Sequence, residues 1–346
     1  MRSILVTTGS LIAFAACSGD IATVVDSSAA TIVSSQVASA TMTDLGTLGG
    51  SSSVALSINP AGQVVGYSDI TGNVATHAFL WKDGVMADLG TLGGSLSIAL
   101  DINPDGQVVG QSFTTSDVAL HAFRWHDGVM TDLGAPGGTF SVASGINPAG
   151  VIAGSTIDAT FSAVVWLKDV VIDLGTLGGT FSSAQDINAG GQVVGFSSTT
   201  GDAETHAFLW DNSRLTDLGT LGGSSSLGFD INPAGQVVGS SLIAGDAASH
   251  AFLWEKGQMI DLGTLGGSTS DGLGINPAGH VVGSSSINGS SISHAFLWRD
   301  GAMIDLGTLG GSSSVAWSIN QKGQVVGSSL TTGDVAVHAV LWRTQH

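Results

Sequence analysis

Six histidines recur at nearly constant spacing, and they are the side chains of this chain most able to do chemistry. They are His77, His121, His206, His250, His294 and His338. An imidazole can ligate a metal or move a proton near neutral pH. A zinc ion needs its ligands at about 2.0–2.1 Å, and histidines carried one per repeat around a ring lie too far apart to share one. We therefore predict a buried structural hydrogen bond from each histidine to an asparagine or aspartate, with no metal and no cofactor.

Three aspartates precede recurring Ile-Asn pairs, namely Asp101, Asp186 and Asp230. The same position holds serine or glycine in the other repeats. On a strand close to a central axis these carboxylates would form a partial acidic ring. Hard cations want several oxygen ligands at once, so a cation is one interpretation. Solvated acids are the interpretation we favour.

Three phenylalanines mark the region where the chain departs most from its repeat. Phe140 and Phe181 each follow Gly-Gly-Thr where most repeats have Gly-Gly-Ser. Between them lie a shortened loop that ends at Phe161 and Ser162 in place of a histidine, and just before Phe140 the chain has Ala135-Pro136 in place of Thr-Leu. We predict that Phe140, Phe161 and Phe181 cluster on one face and are candidate ligand-binding residues, because aromatic side chains beside polar loops often hold a sugar or a peptide. The alternative is neutral drift with each ring packed against its neighbour.

The elements that position these residues form a repeat of about 44 residues. Asp-Leu-Gly occurs seven times, beginning at Asp44, Asp88, Asp132, Asp173, Asp217, Asp261 and Asp305. Ile-Asn and a segment ending in tryptophan also occur seven times each, and the last of these tryptophans is Trp342. The first complete unit contains four strand-like segments, at 53–59, 63–68, 77–81 and 85–90. Four short strands in such a period are typical of a propeller blade.

The phase of the repeat predicts how the ring closes. The repeat region opens on a fourth strand at 42–48 and ends on a third strand at 338–342. Pairing these ends completes a seventh blade and removes two exposed strand edges. The sequence therefore predicts an all-β fold, a seven-bladed β-propeller of four-stranded antiparallel blades over residues 42–346. The alternative is a β-solenoid. In a solenoid, the partial repeats at the two ends would not be expected to add up to one complete repeat, and both ends would need caps.

The composition of the chain limits the classes of function that we expect. The chain has 27 acidic and 9 basic residues and a formal net charge of −18. Such a surface repels phosphate backbones, so nucleic acid is not an expected partner. No Gly-x-Ser-x-Gly occurs on a strand-to-helix turn, and no Lys-Ser/Thr follows the glycine-rich Gly-Thr-Leu-Gly-Gly segments. We predict that the protein is not an enzyme.

The N-terminus resembles an export signal. Arg2 precedes a mostly apolar run from Ile4 to Ala16, and Cys17 is the one cysteine of the chain. A charged start, a short apolar stretch and small residues before the exit are typical of a secretory signal. Residues 1–17 also resemble a bacterial lipobox, which implies that Cys17 is lipidated; cleavage after Ala15 is the alternative. We predict a secreted or cell-envelope protein in which 18–41 is a tether or a disordered leader and only the lipid contacts a membrane.

The repeat resembles that of the bacterial extracellular HAF-repeat family, named for the His-Ala-Phe that begins at His77, His206, His250 and His294. The resemblance covers residues 42–342 and implies an exported β-repeat protein, without any catalytic residue. We expect a non-enzymatic binding or scaffold module whose protein or other ligand binds the loop face. A lectin-like propeller that binds glycans is the first alternative, and a hydrolase or lyase is the second.

Overall fold

The structure is a computed structural model, and it describes residues 41–157, 160–168, 170–290 and 292–344. These residues form 28 β-strands and five one-turn 3-10 helices. None of the helices among them is long and apolar enough to cross a membrane. The strands group into seven antiparallel blades, which agrees with the predicted fold class.

The strands follow the chain four to a blade. Blades 1, 2 and 3 contain β2 (Gly49–Ile58), β3 (Val64–Ile70), β4 (Thr76–Lys82), β5 (Val85–Asp88), β6 (Gly93–Ile102), β7 (Val108–Thr114), β8 (Leu120–His126), β9 (Val129–Gly134), β10 (Phe140–Ile146), β11 (Ile152–Ile157), β12 (Phe161–Leu167) and β13 (Val170–Asp173). Blades 4 and 5 contain β14 (Gly178–Ile187), β15 (Val193–Thr199), β16 (Thr205–Asp211), β17 (Arg214–Asp217), β18 (Gly222–Ile231), β19 (Val237–Ile243), β20 (Ser249–Glu255) and β21 (Gln258–Asp261). Blades 6 and 7 contain β22 (Gly266–Ile275), β23 (Val281–Ile287), β24 (Ser293–Arg299), β25 (Ala302–Asp305), β26 (Gly310–Ile319), β27 (Gln324–Thr331), β28 (Val337–Arg343) and β1 (Thr41–Asp44). The 3-10 helices are Thr71–Asn73, Thr115–Asp117, Thr200–Asp202, Ala244–Asp246 and Thr332–Asp334.

Each blade has two ends that differ in their connections. The connection between the second and third strands and the connection to the next blade lie at one end, which we call the loop face. The turns between the first and second strands and between the third and fourth strands lie at the other end, which we call the turn face. Antiparallel pairing within every blade imposes this division.

The core lies between the blades. Val64, Val65, Ala78 and Phe79 in the middle strands of blade 1 are fully buried. Continuous apolar runs of this kind fit strands that are covered on both faces. The buried clusters combine neighbouring blades: Leu253 of blade 5, for example, belongs to the same cluster as Phe296 of blade 6.

The ring closes through its two ends, which confirms the predicted closure. Strand β1 pairs antiparallel with β28, with Met42 opposite Trp342. The paired segment is Thr41–Asp44, which is shorter than the predicted 42–48 and starts one residue inside the predicted tether. Leu48 already bridges Ile70 of blade 1. A closed set of blades excludes the solenoid.

A closed circle of hydrogen bonds joins the first strands of all the blades at the turn face. Asn59 Oδ1 accepts the backbone N–H groups of Ala61 and Gln63, both at 3.0 Å, which caps the turn. Its Nδ2 donates to the carbonyl oxygen of Asn103 in the next blade at 3.2 Å. The same bond recurs from blade to blade at 3.1–3.4 Å, and Asn320 closes the circle by donating to Asn59. Each of these asparagines therefore fixes its own turn and the next blade.

A buried serine links the blades nearer the loop face. Ser97 Oγ donates to the carbonyl oxygen of Gly90 at 2.6 Å and accepts the backbone N–H of Ala78 in the preceding blade at 2.8 Å. The hydrogen bond from a backbone N–H to this serine is present at all seven blade junctions. One of the seven joins Ala339 to Ser53 and closes the ring. The side chain satisfies an edge amide that would otherwise lack a partner in the core.

Candidate functional site

The three phenylalanines predicted from the sequence lie together on the loop face. The ring centroids of Phe140 and Phe161 are 5.8 Å apart, and those of Phe161 and Phe181 are 5.5 Å apart, both with edge-to-face geometry. Phe196 extends the row, 5.7 Å from Phe181. We call these four rings the aromatic cluster. Phe161 is 37% exposed and the other three are half-buried, so the cluster presents an apolar surface at the junction of blades 3 and 4.

The local sequence explains why the loop face is exposed at the aromatic cluster. In six blades, a leucine of the connection forms a parallel bridge with the end of the second strand. In blade 1, the backbone N–H of this leucine, Leu48, also donates to Ser68 Oγ at 2.9 Å. Pro136 holds this position in blade 3, and proline has no N–H to donate. Strand β10 accordingly starts at Phe140 and has 7 residues, whereas the first strand of each other blade has 10.

The histidines do not converge. In each of six blades the Nδ1 of a histidine lies 2.7–2.9 Å from a carboxylate oxygen of an Asp-Leu-Gly aspartate. His338 pairs with Asp44 and so adds a side-chain contact to the ring closure. These histidine side chains are 14–23% exposed, which makes the pairs half-buried rather than buried. Burial raises the pKa of Asp261, but the bonds from His250 and from the Gly263 amide outweigh it and leave that pKa below its ordinary value.

The three axial aspartates bond to neighbouring blades. Asp101 accepts the hydroxyl of Ser57 at 2.7 Å from blade 1 and the amide of Ile146 at 2.8 Å from blade 3. Asp230 accepts the amide of Ile275, in blade 6, at 2.7 Å. These carboxylates therefore join blades in a second, incomplete layer next to the asparagine circle. They are therefore not the freely solvated acids that we expected. Within the described residues, no group of three or more histidine, cysteine, aspartate or glutamate side chains is arranged to hold a metal ion.

Asp186 and Asp230 converge on one amide. The N–H of Ile231 lies 3.2 Å from Asp186 Oδ2 and 2.7 Å from Asp230 Oδ1. Glycine in blade 3 makes room for this arrangement, because a Cβ at Gly145 would lie 2.7 Å from Asp186 Oδ1. Two carboxylates this close cannot both ionise at low cost.

The pKa values of the axial aspartates reflect this crowding. Burial, together with the negative charge of Asp186, raises the pKa of Asp101 to about 6. Burial and the hydrogen-bonded carboxylate of Asp230 raise the pKa of Asp186 well above its ordinary value. Burial also raises the pKa of Asp230, although the bond from Asp186 and two backbone amides oppose the effect. The two carboxyls of this pair therefore hold a proton to higher pH than an isolated aspartate does.

The two faces of the ring differ in charge. Within the described residues, all eight lysines and arginines lie at or near the turn face: Lys82, Arg124, Lys168, Arg214, Lys256, Arg299, Lys322 and Arg343. Six acids of the described residues accompany them: Asp83, Asp105, Asp127, Asp211, Glu255 and Asp300. The loop face carries the seven Asp-Leu-Gly aspartates and also Asp69, Asp117, Asp202, Glu204, Asp246 and Asp334. The loop face is thus strongly acidic, and the turn face is close to neutral.

Comparison with known proteins identifies the fold. The chain is similar to the β-propeller domain of the trilobed protease from Pyrococcus furiosus, at 10% identity and a TM-score of 0.51 over 72% of this chain and 82% of that one. It is also similar to acylaminoacyl peptidase from Pyrococcus horikoshii, at 11% identity and a TM-score of 0.53 over 87% of this chain and 53% of that one. A likeness to TolB from Acinetobacter baumannii has 13% identity and a TM-score of 0.47, over 87% of this chain and 65% of TolB. No protein-family model, that of the HAF repeats included, and no curated protein matches the chain.

These likenesses are to the β-propeller fold alone. The neighbours include enzymes and binding proteins, so none of them assigns an activity. The chain spans about two thirds of TolB and about half of the peptidase.

Sequence reasoning missed some residues of the site and could not place others. Phe196 follows Val-Val-Gly, at the position that Tyr67 has in blade 1. A second bulky aromatic residue at this position was the sequence signal that could have identified Phe196. The division of charge between the faces was also readable once each lysine and arginine was assigned to a turn. Cys17 and the tether at 18–40 lie outside the described residues, so lipidation and export stay predictions.

Proposed function

We propose that this protein is an exported, non-catalytic scaffold that binds a protein ligand through the aromatic cluster on its loop face. The observation that carries the proposal is the place of the cluster. Phe140, Phe161 and Phe181 gather where the repeat is broken by Pro136 and by the shortened loop of blade 3. Exposing an aromatic surface to water is unfavourable, and such surfaces commonly mark binding sites.

The bonding of the ionisable residues supports a non-catalytic role. The repeated histidines are engaged with aspartates, and the axial aspartates accept backbone amides of adjacent blades. A general acid or base needs a free lone pair or proton directed at substrate. The axial aspartates are engaged in this way. A bond at Nδ1 leaves Nε2 of a histidine for other chemistry, but the histidines lie one to a blade and do not converge.

A glycan is the second candidate ligand, and one contact favours it. Thr180 Oγ1 donates to Asp202 Oδ2 at 3.0 Å, directly beside Phe181 in the sequence. A hydroxyl and a carboxylate next to an aromatic ring offer a sugar both hydrogen bonds and a stacking surface. A lectin-like function would use the same cluster with a different partner.

The carboxyl pair of Asp186 and Asp230 favours a third candidate, a hydrolase or lyase. Carboxyl pairs with separated pKa values are a frequent source of general acid and base groups. Here the pair lies near the axis and each member bonds to the Ile231 amide. Its arrangement therefore also has a purely structural explanation.

One experiment separates these candidates. The mature chain and its Phe161→Ala/Phe181→Ala variant are compared on a glycan array and in capture of proteins from an envelope extract. Leu167→Ala/Val170→Ala is the matched control, because these exposed residues belong to the same blade at its turn face. We expect the phenylalanine variant to lose its ligand by about tenfold or more, equivalent to about 1.4 kcal/mol, and the control to keep it.

Two outcomes contradict the proposal. A loss of more than about 3 kcal/mol of unfolding free energy in the phenylalanine variant, the cost of truncating a buried ring, would identify the cluster as core. Turnover of an array glycan that Asp186→Asn abolishes would establish the enzyme instead. If the mature chain binds glycans on the array but captures no protein from the extract, the lectin-like function is favoured.

A further inference from the structure

The most exposed apolar side chains form an arc on the loop face. Val335, Val74 and Val118 are 83%, 75% and 76% exposed and occupy the same position in blades 7, 1 and 2, directly after the one-turn helix. Phe161 continues the arc into blade 3. Blades 4 and 5 carry alanine at this position, Ala203 and Ala247. We call Val335, Val74, Val118 and Phe161 the apolar arc; it covers one side of the ring only.

The valines stand on loops whose conformation is fixed. The residue before each valine, Asp334, Asn73 or Asp117, has a left-handed backbone with φ of 57°, 55° and 56°. Its Oδ1 accepts a backbone N–H near the start of the first strand of its own blade at 2.7–2.8 Å. A side chain that is held in place before binding loses little entropy when a partner covers it. The arc is therefore built as a rigid contact surface.

Charge selects the partner. The arc lies on the face where the described residues include thirteen carboxylates and neither lysine nor arginine. Such a field attracts cations over long range and repels phosphate and anionic headgroups. Apolar side chains spread over four consecutive blades fit an extended partner better than a small ligand in a cleft.

We propose that the loop face of blades 7, 1, 2 and 3 docks a cationic polypeptide segment that carries aliphatic side chains. The aliphatic side chains of the partner cover Val335, Val74 and Val118, and its lysines or arginines lie against the surrounding carboxylates. This inference rests on the proposed binding function of the loop face and adds the chemistry of the partner.

The test uses a labelled 14-residue peptide of alternating lysine and leucine as the probe. Two further peptides replace every lysine by glutamate or every leucine by serine. Fluorescence anisotropy measures their binding to the mature chain at low and high salt. Binding of the lysine–leucine peptide is expected to be the tightest and to weaken as salt rises, because screening shortens the reach of the charges. The glutamate peptide should not bind.

Matched variants locate the binding. Val74→Ser/Val118→Ser/Val335→Ser removes the valines of the arc. The control is Val85→Ser/Val129→Ser/Val170→Ser, which changes valines that are 66%, 64% and 58% exposed at the turn face. We expect the first variant to bind the lysine–leucine peptide about tenfold more weakly, and the control to stay within about twofold of the parent, with melting temperatures unchanged in both.

Equal weakening by the two variants would overturn the proposal, since it would reveal unspecific attraction to an acidic protein. Equal binding of the glutamate and lysine peptides would overturn it as well. If the peptides fail these tests while Phe161→Ala/Phe181→Ala still abolishes capture of another ligand, the partner chemistry is wrong and the proposed function stands. If that phenylalanine variant has no effect either, both proposals fail.

Discussion

Blades 3 and 5 share one framework and differ at one end. Both have the asparagine that joins the closed circle, Asn147 and Asn232, and both have the buried serine that links adjacent blades. At the loop face blade 5 has a ten-residue first strand and the pair of His250 with Asp261. Blade 3 has a seven-residue first strand, Ser162 and two rings of the aromatic cluster.

The comparison separates positions that hold the ring from positions that shape a surface. The asparagine and the serine, which are present in every blade, are bonded to an adjacent blade, so their loss opens a junction. The features that distinguish blade 3 from blade 5 lie at the loop face, where the chain is free to vary without opening the ring. Blade 3 therefore keeps its place in the propeller while presenting a different surface.

The largest effect is expected from the asparagine circle. Asn232→Ala removes the acceptor of the Ala234 and Gln236 amides and the donor to Asn276, and it should cost about 2–4 kcal/mol of unfolding free energy because buried amides lose their partner. Asn147→Ala removes the equivalent bonds of blade 3 and should cost nearly as much. Urea unfolding measures both. A cost below about 1 kcal/mol for Asn147→Ala alone would mean that blade 3 is only loosely part of the ring.

A smaller effect, of opposite sign, is expected from the axial pair. The native state binds the protons of Asp101 and Asp186 more tightly than the unfolded chain, because their pKa values are raised, to about 6 for Asp101 and well above the ordinary range for Asp186. The stability that these two carboxyls contribute should therefore be fully present below about pH 4 and should be lost as pH rises through their raised native pKa values. Asp186→Asn keeps an oxygen for Ile231 and places an N–H towards Asp230, so it should stabilise the protein at pH 7.5.

Thermal melting between pH 4.5 and 7.5 checks the sign and the window. The gain from Asp186→Asn should vanish at pH 4.5, where the parent already carries the proton. Asp83→Asn, at an exposed turn-face position, is the control and should leave the pH profile unchanged. An Asp186→Asn variant that melts below the parent at pH 7.5 would show that the ionised pair is accommodated.

The smallest effect is expected from Ser162 and His250, which distinguish blades 3 and 5 at the loop face. Ser162→His restores in blade 3 the side chain that pairs with an aspartate in the other six blades, here Asp173. A half-exposed pair of this kind contributes about 0.5 kcal/mol, so the melting temperature should rise by about 1–2 °C. His250→Ser is the reciprocal change in blade 5 and should lower it by a similar amount. A fall in melting temperature for Ser162→His would show that Phe161 and its neighbours need the smaller side chain.

The aromatic cluster was predictable in part. Phe140, Phe161 and Phe181 were found because they break a pattern, and the pattern also places their connections on one face. The predicted pairing of 42–48 was too long, since the chain leaves blade 7 after Asp44 to reach Leu48 in blade 1. A repeat gives the position of a residue within its blade, but it does not say where one blade ends and the next begins.

The sequence by itself determined the number of blades, their four strands, the closure of the ring and the departures of blade 3. These follow from local turn signals, from runs of apolar residues and from counting the copies of each signature. Tertiary structure decided the asparagine circle, the buried serine links and the shared amide of Asp186 and Asp230. Those features join residues of neighbouring blades, and their geometry depends on the angle between the blades, which no local pattern contains.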